Sequence, residues 1–329
     1  MKEINWGIIG CGDVAEVKSG PAFQKVENSN LLMVMRRNEA KVKDFAQRHE
    51  VPLWTTNADD IIQDPYINAV YIATPPSSHL TYTIQALKAN KNVYLEKPMA
   101  LNPNEANQIC EVLVNSTGKL TMAHYRRKLP AFLKVKELLE INAIGNVLHV
   151  GLQVLQSKNE LFTSDKKENW RIQPEISGGG YFYDLAPHHI DLMLHFFGEI
   201  DQMHGFTKQS NKNHVKEIVN GVLSFKNGVQ FQGIWNFNVS EVDQKDQCII
   251  YGTEGSIAFS FFGSKVHLNT EIDNIEYKFN NPKHVQEPMI KATVDYFLGY
   301  SKNPCSALDG LTVMNTLEQL RGNKDKFSN

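Results

Sequence analysis

Short apolar segments alternate with amphipathic segments along the first 123 residues of the chain. The apolar segments predict strands, and the segments between them predict helices, among them residues 40–49 and 79–89. Strands separated by helices in this way are typical of a parallel sheet that is covered on both faces. The predicted strands cover residues 4–9, 31–35, 69–74, 92–96 and 119–123.

Beyond residue 145 the pattern becomes that of half-exposed strands, in which apolar and polar residues alternate. Asn227-Gly228 separates two such segments and predicts a tight hairpin, and residues 253–255 separate two more. The strands predicted here cover residues 146–156, 220–225, 229–239, 248–252 and 256–262. Helices are predicted at residues 130–141, 187–197, 287–300 and 310–321.

These patterns predict an α/β protein of two domains, and a length of 329 residues is sufficient for two cores. Residues 1–123 are expected to form a Rossmann domain, which is a doubly wound parallel sheet. Residues 124–329 are expected to form an α+β domain with an open, mostly antiparallel sheet. The last two predicted helices can pack on either domain.

Composition excludes several classes of function but does not identify the function. A formal net charge of -2 provides no basic field for nucleic acid or for an anionic membrane surface. No apolar run approaches the ~20 residues that span a bilayer, and the first residues show no signal-peptide pattern. The four cysteines lie far apart and lack the spacing of metal ligands. We therefore expect a cytoplasmic, reduced and metal-free protein that binds neither nucleic acid nor membrane.

A glycine-rich loop follows the first predicted strand directly. Gly10 and Gly12 permit a tight turn and a close approach to a pyrophosphate, and the small Ala15 lets the following helix lie close to the sheet. The intervening Asp13 and Val14 would begin that helix, whose positive N-terminus suits a diphosphate. This loop predicts dinucleotide binding. The alternative is an ordinary strand-to-helix turn.

The end of the second predicted strand indicates which dinucleotide binds. NAD-binding domains usually have an acidic residue there, on the ribose hydroxyls. This chain has Arg36 and Arg37 instead, and an arginine pairs with the 2′-phosphate of NADP. NADP is therefore the favoured cofactor, and NAD is the second choice. In the alternative interpretation, the two arginines are a solvated strand end.

Two later strand ends lie on the edge where doubly wound sheets bind ligands. A lysine at the second of them, Lys97, would face the nicotinamide rather than bulk solvent. Lysines at strand ends are mostly surface charges, so the position gains weight only together with the glycine loop. The residues predicted to contact the cofactor at these two strand ends are Thr74, Pro75, Pro76, His79, Glu96 and Lys97.

Further along the chain, Asp184, His188 and Asp191 follow three consecutive glycines. Steps of four and then three residues put these side chains on one stripe of a helix. His189 points ~100° away from His188 and is expected to lie in a polar or packed layer around the site. A carboxylate, an imidazole and a lysine ammonium are the groups needed to move a proton while a hydride moves elsewhere.

These motifs together resemble those of the Gfo/Idh/MocA oxidoreductases, the family of glucose-fructose oxidoreductase and inositol dehydrogenase. The resemblance covers essentially the whole chain. One departure is Ala186-Pro187, where many members have a glycine and then a variable residue; proline suits a first helical turn, so a helix is expected to start at Pro187. The motifs that carry the resemblance are Gly10-x-Gly12-x-x-Ala15, Ala73-Thr74-Pro75-Pro76 with His79, Glu96-Lys97-Pro98, and Gly178-Gly-Gly with Asp184, His188 and Asp191.

The resemblance implies that Lys97, Asp184 and His188 form the catalytic set. It also implies a second domain that carries the substrate pocket and the subunit interface of a homodimer or homotetramer. In such a site His188 would accept the proton of a substrate hydroxyl, and Lys97 would stabilise the negative charge on its oxygen. Asp184 would hold Lys97 or a sugar hydroxyl in place.

Four more side chains are candidates for contact with substrate hydroxyls. Tyr125 and Arg126 follow the last predicted strand of the first domain, where surface packing is an equally good interpretation. Trp170 and Arg171 precede the three glycines, and an aromatic face suits a sugar ring. The alternative for Trp170 is a buried anchor for its loop.

The leading hypothesis is an NADP-linked oxidoreductase that acts on a sugar, a sugar derivative or a cyclic polyol. The same scaffold is used by glycosidases that retain NAD and cleave through transient oxidation, and by regulators that sense dinucleotides without turnover. A regulator needs no combination of Lys97 and His188, so their presence argues against it. A glycosidase needs similar residues and stays open as an alternative.

Overall fold

The structure, a computed structural model, describes residues 2–157, 170–209 and 216–322, without the side chains of residues 209, 216 and 217. The chain divides into two compact units. The first unit comprises Met1–Lys128 and Pro282–Met314, and the second comprises Leu129–Asn281 and Asn315–Asn329. Each unit contains one sheet.

The first unit is built on a six-stranded parallel sheet with the strand order β3-β2-β1-β4-β5-β6. Its N-terminal elements are β1 (Ile4–Ile9), β2 (Ser29–Met35), α1 (Glu39–Arg48), β3 (Leu53–Thr55), α2 (Ala58–Gln63), β4 (Ala69–Ile72), α3 (His79–Lys88), β5 (Asn92–Leu95), α4 (Pro103–Val114) and β6 (Leu120–Met122). This topology confirms the predicted Rossmann fold. The strand order reverses between β1 and β4, and ligands of doubly wound sheets bind at that switch point.

The short edge strand β3 is absent from the sequence-based prediction. Leu53 and Trp54 are exposed, so the segment shows neither a buried apolar run nor a clear alternation. Helix starts have a clearer local signal, because asparagine side chains cap three of the helices. Asn38, Asn57 and Asn102 each accept a hydrogen bond from a backbone N–H in the first turn of α1, α2 and α4.

The second unit contains an eight-stranded sheet with the order β14-β13-β12-β11-β7-β10-β9-β8. Its elements are α5 (Pro130–Glu140), β7 (Val147–Leu155), α6 (Pro174–Ser177), α7 (Tyr181–Phe197), β8 (Ile200–Gln209), β9 (Lys216–Phe225), β10 (Gln230–Asn236), β11 (Lys245–Gly252), β12 (Gly255–Phe259), β13 (Lys265–Thr270) and β14 (Asn274–Lys278). All neighbouring strands are antiparallel except β7 and β10. The predicted open, mostly antiparallel sheet is confirmed.

Both predicted hairpins are present in this sheet. β9 and β10 pair around Asn227-Gly228, where Gly228 has a φ of 89°, and β11 pairs with β12. Helix α7 packs on one face of the sheet, with the Phe182 ring at 5.3 Å from the Trp235 ring. The strands β8, β13 and β14 were not predicted from the sequence.

Helix α7 differs from the prediction at its start. It begins at Tyr181, so Pro187 lies inside the helix and the predicted start at Pro187 is wrong. Proline lacks the N–H that an interior helical position donates, which is why its sequence signal indicates a first turn. The helix instead starts after Gly180, whose φ of 77° is accessible to glycine. The earlier start puts Asp184 and His188 on one continuous helix.

Two helices close the described chain, α8 (Glu287–Leu298) and α9 (Ala307–Leu320). The first unit includes α8 and the part of α9 up to Met314, and the second unit begins again at Asn315. The domain boundary at residue 123, inferred from sequence, stays a prediction; the two compact units separate after Lys128.

The end of α9 lies against β8 and β9, where only glycine leaves enough space. A Cβ atom on Gly205 would overlap the backbone carbonyl of Leu320, and one on Gly221 would lie 2.9 Å from the Leu320 side chain. We expect Gly205→Ala to lower the free energy of unfolding by about 1–3 kcal/mol, because the backbone must move to relieve the overlap. Urea unfolding measures this change.

Gly151→Ala is the matched control, since Gly151 lies in β7 of the same sheet and a Cβ atom there meets nothing within 4 Å. Gly151→Ala should leave stability unchanged or increase it slightly. A Gly205→Ala protein as stable as the Gly151→Ala protein would show that the close approach does not matter.

Candidate functional site

The glycine loop lies between β1 and the segment that follows it. Gly10 has a φ of 95°, and a Cβ atom there would lie 2.8 Å from Thr74 Cγ2 and 2.9 Å from the Ala73 carbonyl carbon. Both observations require glycine. A Cβ atom on Gly12 would meet nothing within 4 Å, so open space lies beside this residue. The loop therefore fits a pyrophosphate that approaches the backbone at Gly12.

The helical segment after the loop is irregular. Residues Ala15–Ser19 form a wide π turn and Gly20–Gln24 form a 3-10 turn, where the sequence predicted a helix. Ala15 is buried, as a close-packed third fingerprint position requires. Asp13 is exposed and Val14 is half-buried. The backbone carbonyls of Val17 and Lys18 in this segment accept hydrogen bonds from His284 and Gln286.

The end of β2 presents two arginines. Arg36 is half-buried, and its Nη1 donates to the backbone carbonyl of Cys11 in the glycine loop at 3.3 Å. Arg37 is exposed, and Asn38 uses its side chain to cap α1. The next residue, Glu39, pairs with Lys43 at 2.6 Å. The strand end thus carries positive charge beside the loop.

The loop after β4 contains the predicted residues Thr74, Pro75, Pro76 and His79. His79 is completely buried, and its ring nitrogens lie 2.8 Å from the Thr74 carbonyl oxygen and 2.9 Å from that of Pro98. Burial lowers the pKa of His79. His79 thus links the loops after β4 and β5. Thr74 and Pro75 are partly exposed, whereas Pro76 is buried.

Glu96 and Lys97 follow β5 and differ in their environment. Glu96 is 6% exposed, and its Oε1 accepts hydrogen bonds from the Tyr71 hydroxyl and from Gln286 Nε2, both at 2.6 Å. The backbone N–H of Lys97 donates to Glu96 Oε2 at 3.2 Å. Lys97 is half-buried, and the peptide bond between Lys97 and Pro98 is cis. Glu96 is therefore buried next to Lys97 and is held in place by hydrogen bonds.

Helix α7 carries the predicted proton-transfer residues of the second unit. His188 and Asp191 are buried, and Asp184 is partly exposed. Arg171 Nε donates to Asp184 Oδ2 at 3.1 Å, and the Arg171 guanidinium lies 4.7 Å from the centre of the Trp170 ring. The sequence suggested both residues as substrate contacts but not this ion pair, because no local pattern links residues 13 positions apart outside a helix.

The neighbouring histidine has a different environment. His189 is completely buried, and its Nδ1 accepts a hydrogen bond from Trp235 Nε1 at 3.1 Å. The Phe261 ring packs edge-on against it at 4.2 Å. These contacts place His189 in the core of the second unit.

Tyr125 and Arg126, the other candidates for substrate contact, are both buried. The Arg126 guanidinium lies 5.3 Å from the centre of the Tyr125 ring. The next residue, Arg127, pairs with Asp309 at 3.3 Å and donates to the Pro304 carbonyl at 3.2 Å. This segment therefore links the end of β6 to the first turn of α9 and to the residues just before it.

Within residues 2–157, 170–209 and 216–322, no group of three or more His, Cys, Asp or Glu side chains is placed to hold a metal ion. None of the helices described there combines the length and the apolar character that crossing a membrane requires.

The chain matches two protein-family models. Residues 4–124 match the oxidoreductase family with an NAD-binding Rossmann fold, and residues 132–258 match the GFO/IDH/MocA C-terminal domain. Oxidoreductase P35 of Formosa agariphila is 54% identical over 320 residues, which are 97% of this chain and 98% of that protein. The scyllo-inositol 2-dehydrogenase (NADP+) of Bacillus subtilis is 28% identical over 196 residues, which are 59% of this chain and 52% of that protein.

The fold is similar to that of a levoglucosan dehydrogenase solved in complex with NADH and levoglucosan. The TM-score is 0.85 at 22% sequence identity, and the match covers 97% of this chain and 96% of that one. At this identity the likeness concerns the fold.

Proposed function

The chain belongs to the Gfo/Idh/MocA family of oxidoreductases, and from this premise we propose that it transfers a hydride between NADP and a secondary alcohol or carbonyl group. The proposed substrate is a sugar, a sugar derivative or a cyclic polyol. The observation that carries the proposal is the set of proton-handling side chains, Lys97 after β5 and Asp184 and His188 on α7, in a chain whose glycine loop has space for a dinucleotide.

The names of two relatives support the substrate class. One relative is a scyllo-inositol dehydrogenase, and one structure of similar fold holds levoglucosan. The second unit also has groups that suit a sugar substrate. Arg171 holds the Asp184 carboxylate, and a carboxylate accepts hydrogen bonds from sugar hydroxyls. Trp170 beside them is half-exposed and presents an aromatic surface.

The roles of the residues follow from their chemistry. When bound, the nicotinamide supplies the hydride acceptor for alcohol oxidation. In that direction, a ring nitrogen of His188 takes the hydroxyl proton, since an imidazole is a base near neutral pH. Lys97 Nζ donates a hydrogen bond to the same substrate oxygen and stabilises its negative charge. Asp184, held by Arg171, orients the substrate. In the reductive direction His188 returns the proton to the carbonyl oxygen.

We propose NADP rather than NAD as the preferred cofactor. The relatives alone leave the choice open, because one is named for NADP+ and a structure of similar fold contains NADH. The support comes from Arg36 and Arg37 at the end of β2 and from the absence of an acidic side chain at residues 36–38. A carboxylate at this position would repel the 2′-phosphate, whereas guanidinium groups bind it.

The test is to follow NADP+ and NAD+ reduction by the purified protein against aldoses, inositols and sugar acids, together with levoglucosan. Lys97→Ala is assayed alongside, with the exposed Lys88→Ala of α3 as the control. Reduction that depends on Lys97 and not on Lys88 would establish the oxidoreductase and its substrate class. A protein that binds NADPH but shows no reduction would favour the redox-neutral glycosidase.

We also propose that the protein forms a homodimer or homotetramer through the face of its second sheet that lies opposite α7. Strand register puts Phe206, Val222 and Tyr251 on this one face, exposed by 67%, 48% and 37%. We expect Val222→Lys to weaken subunit association at least about tenfold, because a two-fold interface would bury the new charge twice. Light scattering after size exclusion measures the change.

Val242→Lys is the control for this substitution, because Val242 is exposed in a 3-10 turn outside the strands. A wild-type protein that is monomeric at all concentrations would refute the assembly.

A further inference from the structure

A buried group of polar side chains surrounds Glu96 in the first unit. This group, the Glu96 cluster, consists of Ser19, Tyr71, Tyr94, Glu96 and Gln286, all of them buried. Ser19 Oγ donates to the Tyr71 hydroxyl at 3.1 Å, and the Tyr71 hydroxyl and Gln286 Nε2 both donate to Glu96 Oε1. The Tyr94 hydroxyl donates to Gln286 Oε1 at 2.9 Å. The cluster surrounds a buried carboxylate, and a carboxylate inside a protein needs hydrogen-bond donors of this kind.

The direction of each hydrogen bond in the cluster is determined by chemistry. Burial, and then the nearby Glu96 charge, raise the pKa of Tyr71 and of Tyr94 well above the usual value, so both hydroxyls keep their protons. Because the Glu96 carboxylate can only accept, the amide nitrogen of Gln286 is the atom that faces it, and the amide oxygen accepts from the Tyr94 hydroxyl. Gln286 therefore has one defined orientation.

Gln286 connects two parts of the proposed site, the segment after β5 and the segment after the glycine loop. Its side chain reaches Glu96, and Glu96 Oε2 accepts from the backbone N–H of Lys97. Its own backbone N–H donates to the carbonyl of Lys18 at 3.1 Å, in the segment after the glycine loop. Two residues earlier, His284 Nδ1 lies 3.1 Å from the carbonyl oxygen of Val17 in the same segment.

We propose that Gln286 is a positioning residue for Lys97, acting through the Glu96 carboxylate. This proposal rests on the proposed function, in which Lys97 binds the reacting oxygen. Glu96 fixes the backbone of Lys97, and Gln286 together with Tyr71 fixes Glu96. When Gln286 is lost, the carboxylate loses one of the two donors on its Oε1, and the lysine shifts from its working position. Displacements of about 1 Å are sufficient to reduce catalysis strongly.

The first test is Gln286→Leu, which removes the side-chain hydrogen bonds of residue 286 to Glu96, Tyr71 and Tyr94 at similar volume. We expect kcat to fall about tenfold or more, because an interaction that matters for the reacting geometry is lost. The dissociation constant of NADPH should change by less than about threefold, since the backbone N–H that holds Lys18 is retained. Binding titrations and thermal melting accompany the kinetics.

Thr293→Val is the matched control for Gln286→Leu. Thr293 is buried in α8, the helix that Gln286 directly precedes. Its hydroxyl donates to the Met289 carbonyl within the helix. Thr293→Val loses a buried hydrogen bond outside the Glu96 cluster, so it should lower the melting temperature without changing kcat. A residue with a merely structural role would behave like Thr293.

The second variant, Gln286→Glu, gives a readout in pH. A protonated Glu at residue 286 can donate to Glu96 as the amide does, whereas an ionised one repels it. The titratable groups facing this position are Glu96, Tyr71 and Tyr94; His79 interacts with Glu96, and Cys305 and Tyr125 interact with Tyr94. Both tyrosines stay protonated, because burial and the nearby Glu96 charge raise the pKa of each. The variant should therefore approach wild-type kcat at acidic pH and lose activity relative to wild type as pH rises.

The outcomes separate this inference from the proposed function. A folded Gln286→Leu protein with wild-type kcat, or one whose defect lies only in NADPH affinity, overturns the positioning role even if Lys97→Ala is inactive. If Gln286→Leu does not fold, a Gln286→Glu protein with the pH profile of wild type overturns it. A fully active Lys97→Ala protein overturns both the proposed function and the positioning role, because there is then no catalytic lysine to position.

Discussion

Replacing Lys97 by alanine is expected to lower kcat by a factor of about 10²–10⁴ with little change in NADPH binding. The ammonium group is assigned to the charge that develops on the substrate oxygen as its proton leaves. That charge is largest in the transition state, so its loss appears in kcat rather than in cofactor affinity. Initial rates on the best substrate, together with NADPH titrations, measure the two quantities separately.

The same assay with His188→Ala and with the double variant tests whether the two residues act together. Each single change is expected to cost a similar factor. If Lys97 and His188 act on one substrate oxygen, the double variant should be only slightly slower than the slower single variant, because residues that act as a unit are strongly non-additive. Lys88→Ala should behave as wild type. Full activity of Lys97→Ala would refute the catalytic assignment, and multiplied losses would refute the joint action.

Arg36→Asp is expected to weaken NADPH binding about 100-fold, which corresponds to about 3 kcal/mol. The change removes a guanidinium from the 2′-phosphate and puts a carboxylate in its place, so attraction becomes repulsion. NADH has no 2′-phosphate, and a carboxylate at this strand end can accept hydrogen bonds from its ribose. NADH affinity should therefore stay within about threefold or improve. Fluorescence titrations with both cofactors measure the difference.

Lys88→Asp is the control for the change in net charge, since Lys88 is exposed on α3. Equal losses of NADPH and NADH affinity in Arg36→Asp would contradict the NADP assignment, because such losses would come from damage to the loop. Damage to the loop is a specific alternative, because Arg36 also donates to the carbonyl of Cys11 in that loop.

The parts of the fold that could be predicted are those with a local signal. The apolar run of β1 and the glycine loop after it were predictable because burial and backbone conformation select residues at adjacent positions. The edge strand β3 was missed because Leu53 and Trp54 are exposed. Pro187 was misinterpreted because proline usually ends or begins a helix, whereas here it lies inside α7.

In the candidate site, contacts between residues that lie far apart in the chain could likewise not be predicted. Glu96 and Lys97 could be singled out from their motif, but their support comes from Gln286, which is 190 residues from Glu96 in the chain. A glutamine before a helix has no sequence signature that indicates such a contact. The Arg171–Asp184 ion pair is similar, since its two members are ordinary charged residues until the fold brings them together.

The return of Pro282–Met314 to the first unit affects how the protein is made on the ribosome. Trp6 in β1 packs against Phe297 with 5.8 Å between ring centres, and Lys119 Nζ donates to the carbonyls of Tyr296 and Phe297. The N-terminal residues therefore emerge without part of their own core, which is completed only after Leu129–Asn281 of the second unit has been synthesised. A fragment that ends at Lys128 would expose this apolar surface, whereas the second unit has most of its sequence in one continuous stretch.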